Sequence, residues 1–175
     1  MATTFTLEHK FPDISVETFE KHLNHPDLIK MLDKMPAFRS RDLVSKTENK
    51  DGSTTWRFKV VAGGDIPASA RKVMSEEMLT WHEDTKFVPA EHTIYWTIVP
   101  LAQKAADILE SKGIWKLIPD GKGTRRIIEG TITVKIPFLG KVVEQYLAGE
   151  LKRNYDVEPD IQRVFYKKMM AAEAK

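Results

Sequence analysis

Cysteine is absent from this chain. Thiolate nucleophiles, disulfides and Cys-ligated metals are therefore excluded. His82, His92, Tyr95 and Glu77 lie on or beside strand-like segments and are the side chains able to serve as acid or base, with Arg57 nearby in the same run. A general base needs an oriented partner, and no Ser/His/Asp grouping emerges from these spacings. Strand side chains alternate, so Tyr95 points outward if Trp96 points inward. Glu76-Glu77 and Glu83-Asp84 fall on opposite faces of an extended chain and form no carboxylate dyad by adjacency. His22 and His25 are three apart, the spacing of a metal pair, but Pro26 stops the helix and no third ligand is near. Gly121-Lys122-Gly123-Thr124 lacks the spacing of a phosphate loop and reads as a hairpin turn. The expectation is no catalytic set, no metal and no cofactor.

The apolar residues carry the stronger signal. Trp56, Phe58 and Val60 share a strand face, as do Trp96 with Ile98 and Trp115 with Leu117, and Trp81 is a further aromatic of the same kind. Large rings on one side of a sheet either pack solid or line a ligand cavity. The far wall comes from the last third of the chain. Gly130, Ile132 and Val134 alternate on a strand that ends at Pro137, and Val143, Leu147 and Leu151 follow at helical spacing. These two sets should face each other across whatever space exists, and Gly130 either leaves room or permits a bend. All these residues are candidate ligand contacts.

The elements that must position them follow from periodicity. Residues 4–11 alternate as a strand, Ser15 caps a short helix that ends near Pro26, and a second helix from Asp27 stops at Pro36. Strands are expected at 38–48 and 53–62 around an Asp51-Gly52 turn, at 70–81, at 91–99, at 113–119 and at 125–136. The 70–81 segment also suits a helix, and 104–110 is a helical turn or a loop. The long terminal helix should kink or break near Pro159. A meander of about six strands buries one face, and only that helix is long enough to cover it.

The 175 residues fit one domain, 1–175, with 42% apolar and 30% charged residues, as in globular proteins. A net charge of +2 gives no field that argues for nucleic acid. The pairs Arg125-Arg126, Lys152-Arg153 and Lys167-Lys168 read as solvated faces, with transient contact to an anionic membrane surface as the alternative. No signal-peptide pattern opens the chain and no run is long enough to span a bilayer, so the expected location is cytoplasmic.

This element order, with Glu129-Gly130-Thr131-Ile132-Thr133-Val134-Lys135-Ile136-Pro137-Phe138-Leu139-Gly140 at the strand-to-helix junction, resembles the START-like superfamily, also called SRPBCC or Bet v 1-like. Gly64-Asp65-Ile66-Pro67-Ala68, followed by Arg71 and Met74, looks more narrowly like a bacterial family of uncharacterised proteins in that group. The resemblance implies an α+β helix-grip fold: a curved antiparallel sheet of about seven strands around a long C-terminal helix, with two short helices after the first strand. It also implies an apolar cavity between sheet and helix, for a lipid, a polyketide-like compound or another hydrophobic molecule. Carrier or sensor is the leading expectation. A cyclase, dehydratase or hydrolase on an aromatic or acyl substrate is one alternative, and an interaction module with a filled core is another. Access is expected at the loop 61–68 together with the open end near the two short helices.

Overall fold

A computed structural model describes residues 2–33, 35–63, 68, 72 and 75–175. The first alternating run becomes β1 (Thr3–Phe11), with Phe5, Leu7, His9 and Phe11 turned inward. Ser15 starts α1 (Val16–Lys21), its hydroxyl accepting from the Thr18 N–H at 3.2 Å. Pro26, whose missing N–H costs nothing in a first turn, starts α2 (Pro26–Leu32). There follow β2 (Phe38–Glu48), β3 (Thr54–Ala62), β4 (Thr80–Val88), β5 (Thr93–Pro100), α3 (Gln103–Ile108), β6 (Leu109–Asp120), β7 (Gly123–Val134) and α4 (Gly140–Glu173).

The strands form one antiparallel sheet of seven in the order β1-β7-β6-β5-β4-β3-β2. The long α4 packs on β1 and β7, and α2 closes against it. This is the helix-grip fold. The main core joins Phe11, Phe19, Phe58, Phe165 and Tyr166 between sheet, short helices and the C-terminal half of α4. A smaller cluster of Ile132, Val134 and Val143 seals the start of α4. Glu144 locks that start in place, accepting from the Val134 N–H at 2.9 Å and from the Thr3 hydroxyl at 2.7 Å. Burial opposes its ionisation, but those bonds and Lys141 outweigh it and hold the carboxyl below its usual range.

Besides smaller shifts such as β6 starting at Leu109 rather than residue 113, two elements differ from expectation. The strand read at 70–81 is β4 at Thr80–Val88; residues 69–71 and 73–74 lie outside the described residues, as do Gly64 to Pro67 of the resembling segment and of the loop 61–68. The inward positions of β4 are Trp81, Glu83, Thr85 and Phe87, and two polar residues on the inner face erase the alternation that marks a strand. The terminal helix also does not break at Pro159. It runs for 34 residues through that proline. Pro159 leaves the Tyr155 carbonyl without its helical donor, and the His9 ring hydrogen-bonds the Tyr155 backbone instead.

Candidate functional site

The interior between sheet and α4 holds two chambers of about 90 Å³ each. Phe38, Ile98, Leu151 and Asn154 line both, so the chambers adjoin. The first lies under α2, with Leu28, Leu32, Trp96 and Trp115 as apolar walls and Arg41, Glu83, Tyr155 and Glu158 as polar ones. The second lies toward the start of α4, among Leu79, Trp81, Leu109, Ile132 and Leu147.

Seven of the expected contacts border these chambers: Trp81, Trp96, Ile98, Trp115, Ile132, Leu147 and Leu151. The other seven do not. Trp56, Phe58, Val60 and Leu117 are packed into the main core, while Val134 and Val143 fill the smaller cluster. Gly130 is covered rather than open. It pairs with Gly113 in register, and the Phe5 and Trp96 rings lie over the two glycines, 6.3 Å apart and nearly parallel. A Cβ on Gly130 would sit 2.4 Å from Phe5, and one on Gly113 would sit 2.2 Å from the Glu129 carbonyl oxygen. The glycines let two rings lie flat on the sheet.

The expected acids and bases stand apart from this space. Tyr95 is exposed and donates to Glu91 at 2.5 Å, a bond that raises its pKa. His92 bonds Glu20 at the surface, His82 is on the outward face of β4, and Glu77 is exposed. Arg57 forms a two-point pair with Asp84 on the outside of the sheet. The four do not converge, so the catalytic version built on them falls. His22 and His25 are turned to separate partners: His22 contacts Glu173, and His25 caps α2 by accepting from the Asp27 N–H. No cluster able to hold a metal occurs among the described residues.

Sequence reasoning missed the polar interior. Arg126, read as part of a solvated pair, is fully buried. Its Nη2 donates to Glu158 Oε2 at 3.1 Å and its Nη1 to Gln162 Oε1 at 3.0 Å, while its guanidinium lies 4.6 Å from the Trp115 ring. Nη2 also meets His9 Nδ1 at 3.2 Å. Burial first, then the Arg126 and Arg163 charges, push the His9 pKa down to about 4. A neutral His9 thus accepts from Arg126 on Nδ1 and serves the Tyr155 backbone with its other nitrogen. Trp115 Nε1 donates to the Tyr155 hydroxyl at 3.2 Å. Burial and the nearby Glu158 and Glu83 charges push the Tyr155 pKa up, so this phenol stays protonated. A second pair, Arg41 to Glu83 at 2.7 Å, lines the first chamber, with the guanidinium 3.6 Å over the Phe58 ring. One signal was available in the sequence. Arg126 shares strand parity with Ile128, Ile132 and Val134, hence their inward face.

Residues 6–163 match the family described as a protein of unknown function, DUF2505. The chain belongs to this family. The DUF2505 chain also has the START-like architecture of several solved structures. One is the protein TTHA0849 from Thermus thermophilus, at 18% identity and a TM-score of 0.62, covering 97% of this chain and 99% of that one. A point mutant of norcoclaurine synthase from Thalictrum, solved with a transition-state analogue, gives 18% identity and 0.62 over 95% and 97%. The di-domain ARO/CYC protein StfQ of the steffimycin pathway gives 15% and 0.62, covering 98% of this chain and 52% of that one. At these identities the likeness is one of fold. No curated protein matches the chain in sequence. No helix among the described residues is long and apolar enough to cross a membrane.

Proposed function

We propose that this protein is a cytoplasmic carrier or sensor that binds a small apolar molecule in the two adjoining chambers. The observation that carries the reading is the pair of chambers itself, walled by Trp, Phe, Leu and Ile and meeting at Phe38, Ile98, Leu151 and Asn154. Protein interiors are otherwise packed to crystal density, so two such spaces in contact form a receptor rather than a packing remainder. Their size favours a molecule of one ring with substituents over a long acyl lipid, since a cavity of about 150 Å³ holds one benzene. Burial at about 25 cal/mol per Å² of apolar surface supplies the affinity. A solved norcoclaurine synthase complex with dopamine and hydroxybenzaldehyde shows that the fold accommodates single-ring molecules in that protein.

Native mass spectrometry of freshly purified protein, with tryptophan fluorescence against a panel of small aromatic compounds, tests this. Trp81, Trp96 and Trp115 border the chambers, so binding should change the emission. Leu151→Phe, which narrows the junction, should suppress the response. A protein that stays empty and silent across the panel would overturn the reading.

A further inference from the structure

The polar atoms of the first chamber are unevenly satisfied, and the imbalance has a sign. Thr85 and Trp96 face each other in register on β4 and β5, both more than nine-tenths buried and both lining the chamber. Neither Thr85 Oγ1 nor Trp96 Nε1 has a hydrogen-bond partner in the protein, and neither has Arg41 Nη1 on the same chamber wall. Two of these three atoms can only donate, and the hydroxyl can do so. A buried polar group without a partner is costly, and native proteins leave few of them. Three in one chamber amount to a receptor for an acceptor atom.

The charges narrow the acceptor further. Glu83 and Glu158 both line the chamber, whereas Arg41 is its one guanidinium among the described residues, because Arg126 stands behind Glu158. Glu83 and Glu158 are already paired with Arg41 and Arg126, so a carboxylate brought in would add an uncompensated charge in a medium of low dielectric. A carbonyl oxygen would take the same donors without that cost.

We propose that the first chamber takes the neutral carbonyl oxygen of a small aromatic ligand, held by the donors of Thr85, Trp96 and Arg41, with the ring body reaching toward the second chamber. The ligand class is an aryl ketone, aldehyde, ester or quinone rather than an acid or a hydrocarbon. This rests on the reading of the interior as a ligand cavity, and the probes separate the two claims.

The full chain, labelled with nitrogen-15, is titrated with acetophenone, cumene of nearly the same shape, benzoate and benzylamine. The four tryptophans give four indole N–H signals, and Trp96→Phe assigns one of them. Acetophenone should bind at least about tenfold more tightly than cumene, the worth of a hydrogen bond to a buried donor. It should bind more tightly than benzoate and benzylamine, and should shift the Trp96 signal downfield. Thr85→Val keeps the side-chain shape and removes an unsatisfied hydroxyl, so the free variant should melt no lower than the parent. It should bind acetophenone several-fold more weakly and cumene unchanged. Cumene binding as tightly as acetophenone would leave the cavity reading intact and overturn the carbonyl assignment. So would benzoate or benzylamine binding more tightly. Binding by none of the four would overturn both. Should Thr85→Val misfold, Trp96→Phe carries the same comparison.

Discussion

Arg126 is the residue on which the interior turns. A guanidinium with no exposure is tolerable only if its charge and most of its donors are answered; Glu158, Gln162 and His9 answer the two terminal nitrogens, while Nε has no partner. The exchange is lopsided. Desolvating both charges offsets most of their attraction, whereas removing one partner strands the other in the core. Arg126→Met or Glu158→Leu alone should therefore destabilise by about 3–5 kcal/mol, while the double replacement should recover most of that loss. Urea unfolding of the four proteins of this cycle measures the coupling. Single losses that simply add in the double variant would mean that the two side chains act independently.

At the scale of elements, α4 is unusual for a helix that fills a sheet. Its buried face includes Glu144, Asn154, Glu158 and Gln162, so part of what faces the sheet is polar. This is why the apolar periodicity of the helix was legible while its functional face was not: helical spacing finds leucines and passes over a glutamate that turns inward. The same holds for β4, where Glu83 and Thr85 hide a strand. Strand parity did place Trp96 and Trp115 inward, with Trp81 only a further candidate, and it would have placed Arg126 inward had charge not been equated with exposure. Gly130, expected to leave room or permit a bend, is covered for another reason. The Phe5 and Trp96 rings come from strands on either side, and only register brings them over the glycines. Two alanine substitutions separate glycines that make room from glycines that merely fill a position. Gly113→Ala places a methyl 2.2 Å from the Glu129 carbonyl oxygen and 2.5 Å from the Trp96 ring, and should cost about 1–3 kcal/mol. Gly149→Ala in α4 meets nothing within 4 Å and should add about 0.5–1 kcal/mol through helix propensity. Thermal unfolding should move in opposite directions for the two.

Across the whole molecule, three elements that are remote in sequence meet at one imidazole. His9 belongs to β1, receives a hydrogen bond from Arg126 of β7, and bonds the Tyr155 backbone of α4 at the carbonyl that Pro159 cannot serve. The edge strand, its neighbour and the helix are thus joined where the helix carries its proline. The joint requires a neutral ring, because a proton on Nδ1 would remove the acceptor and place a second cation against Arg126. The folded pKa of about 4 lies below the ordinary 6.5. Between those values the unfolded chain therefore binds a proton that the folded protein refuses, and stability rises with pH across this window. It should be fully present above about pH 6.5 and decline as the pH falls to about 4. The shift alone would represent about 3 kcal/mol. The ring is only half-buried, and solvent screening reduces the expected loss to about 1–2 kcal/mol. Urea midpoints measured from pH 7 to pH 4 should show this decline, and His9→Gln, which can still donate and accept, should flatten it. Glu144 is held below its usual range by its own bonds, so its contribution persists until lower pH and does not mimic the effect. An unchanged slope in His9→Gln would assign the acid sensitivity elsewhere and leave the joint a matter of packing.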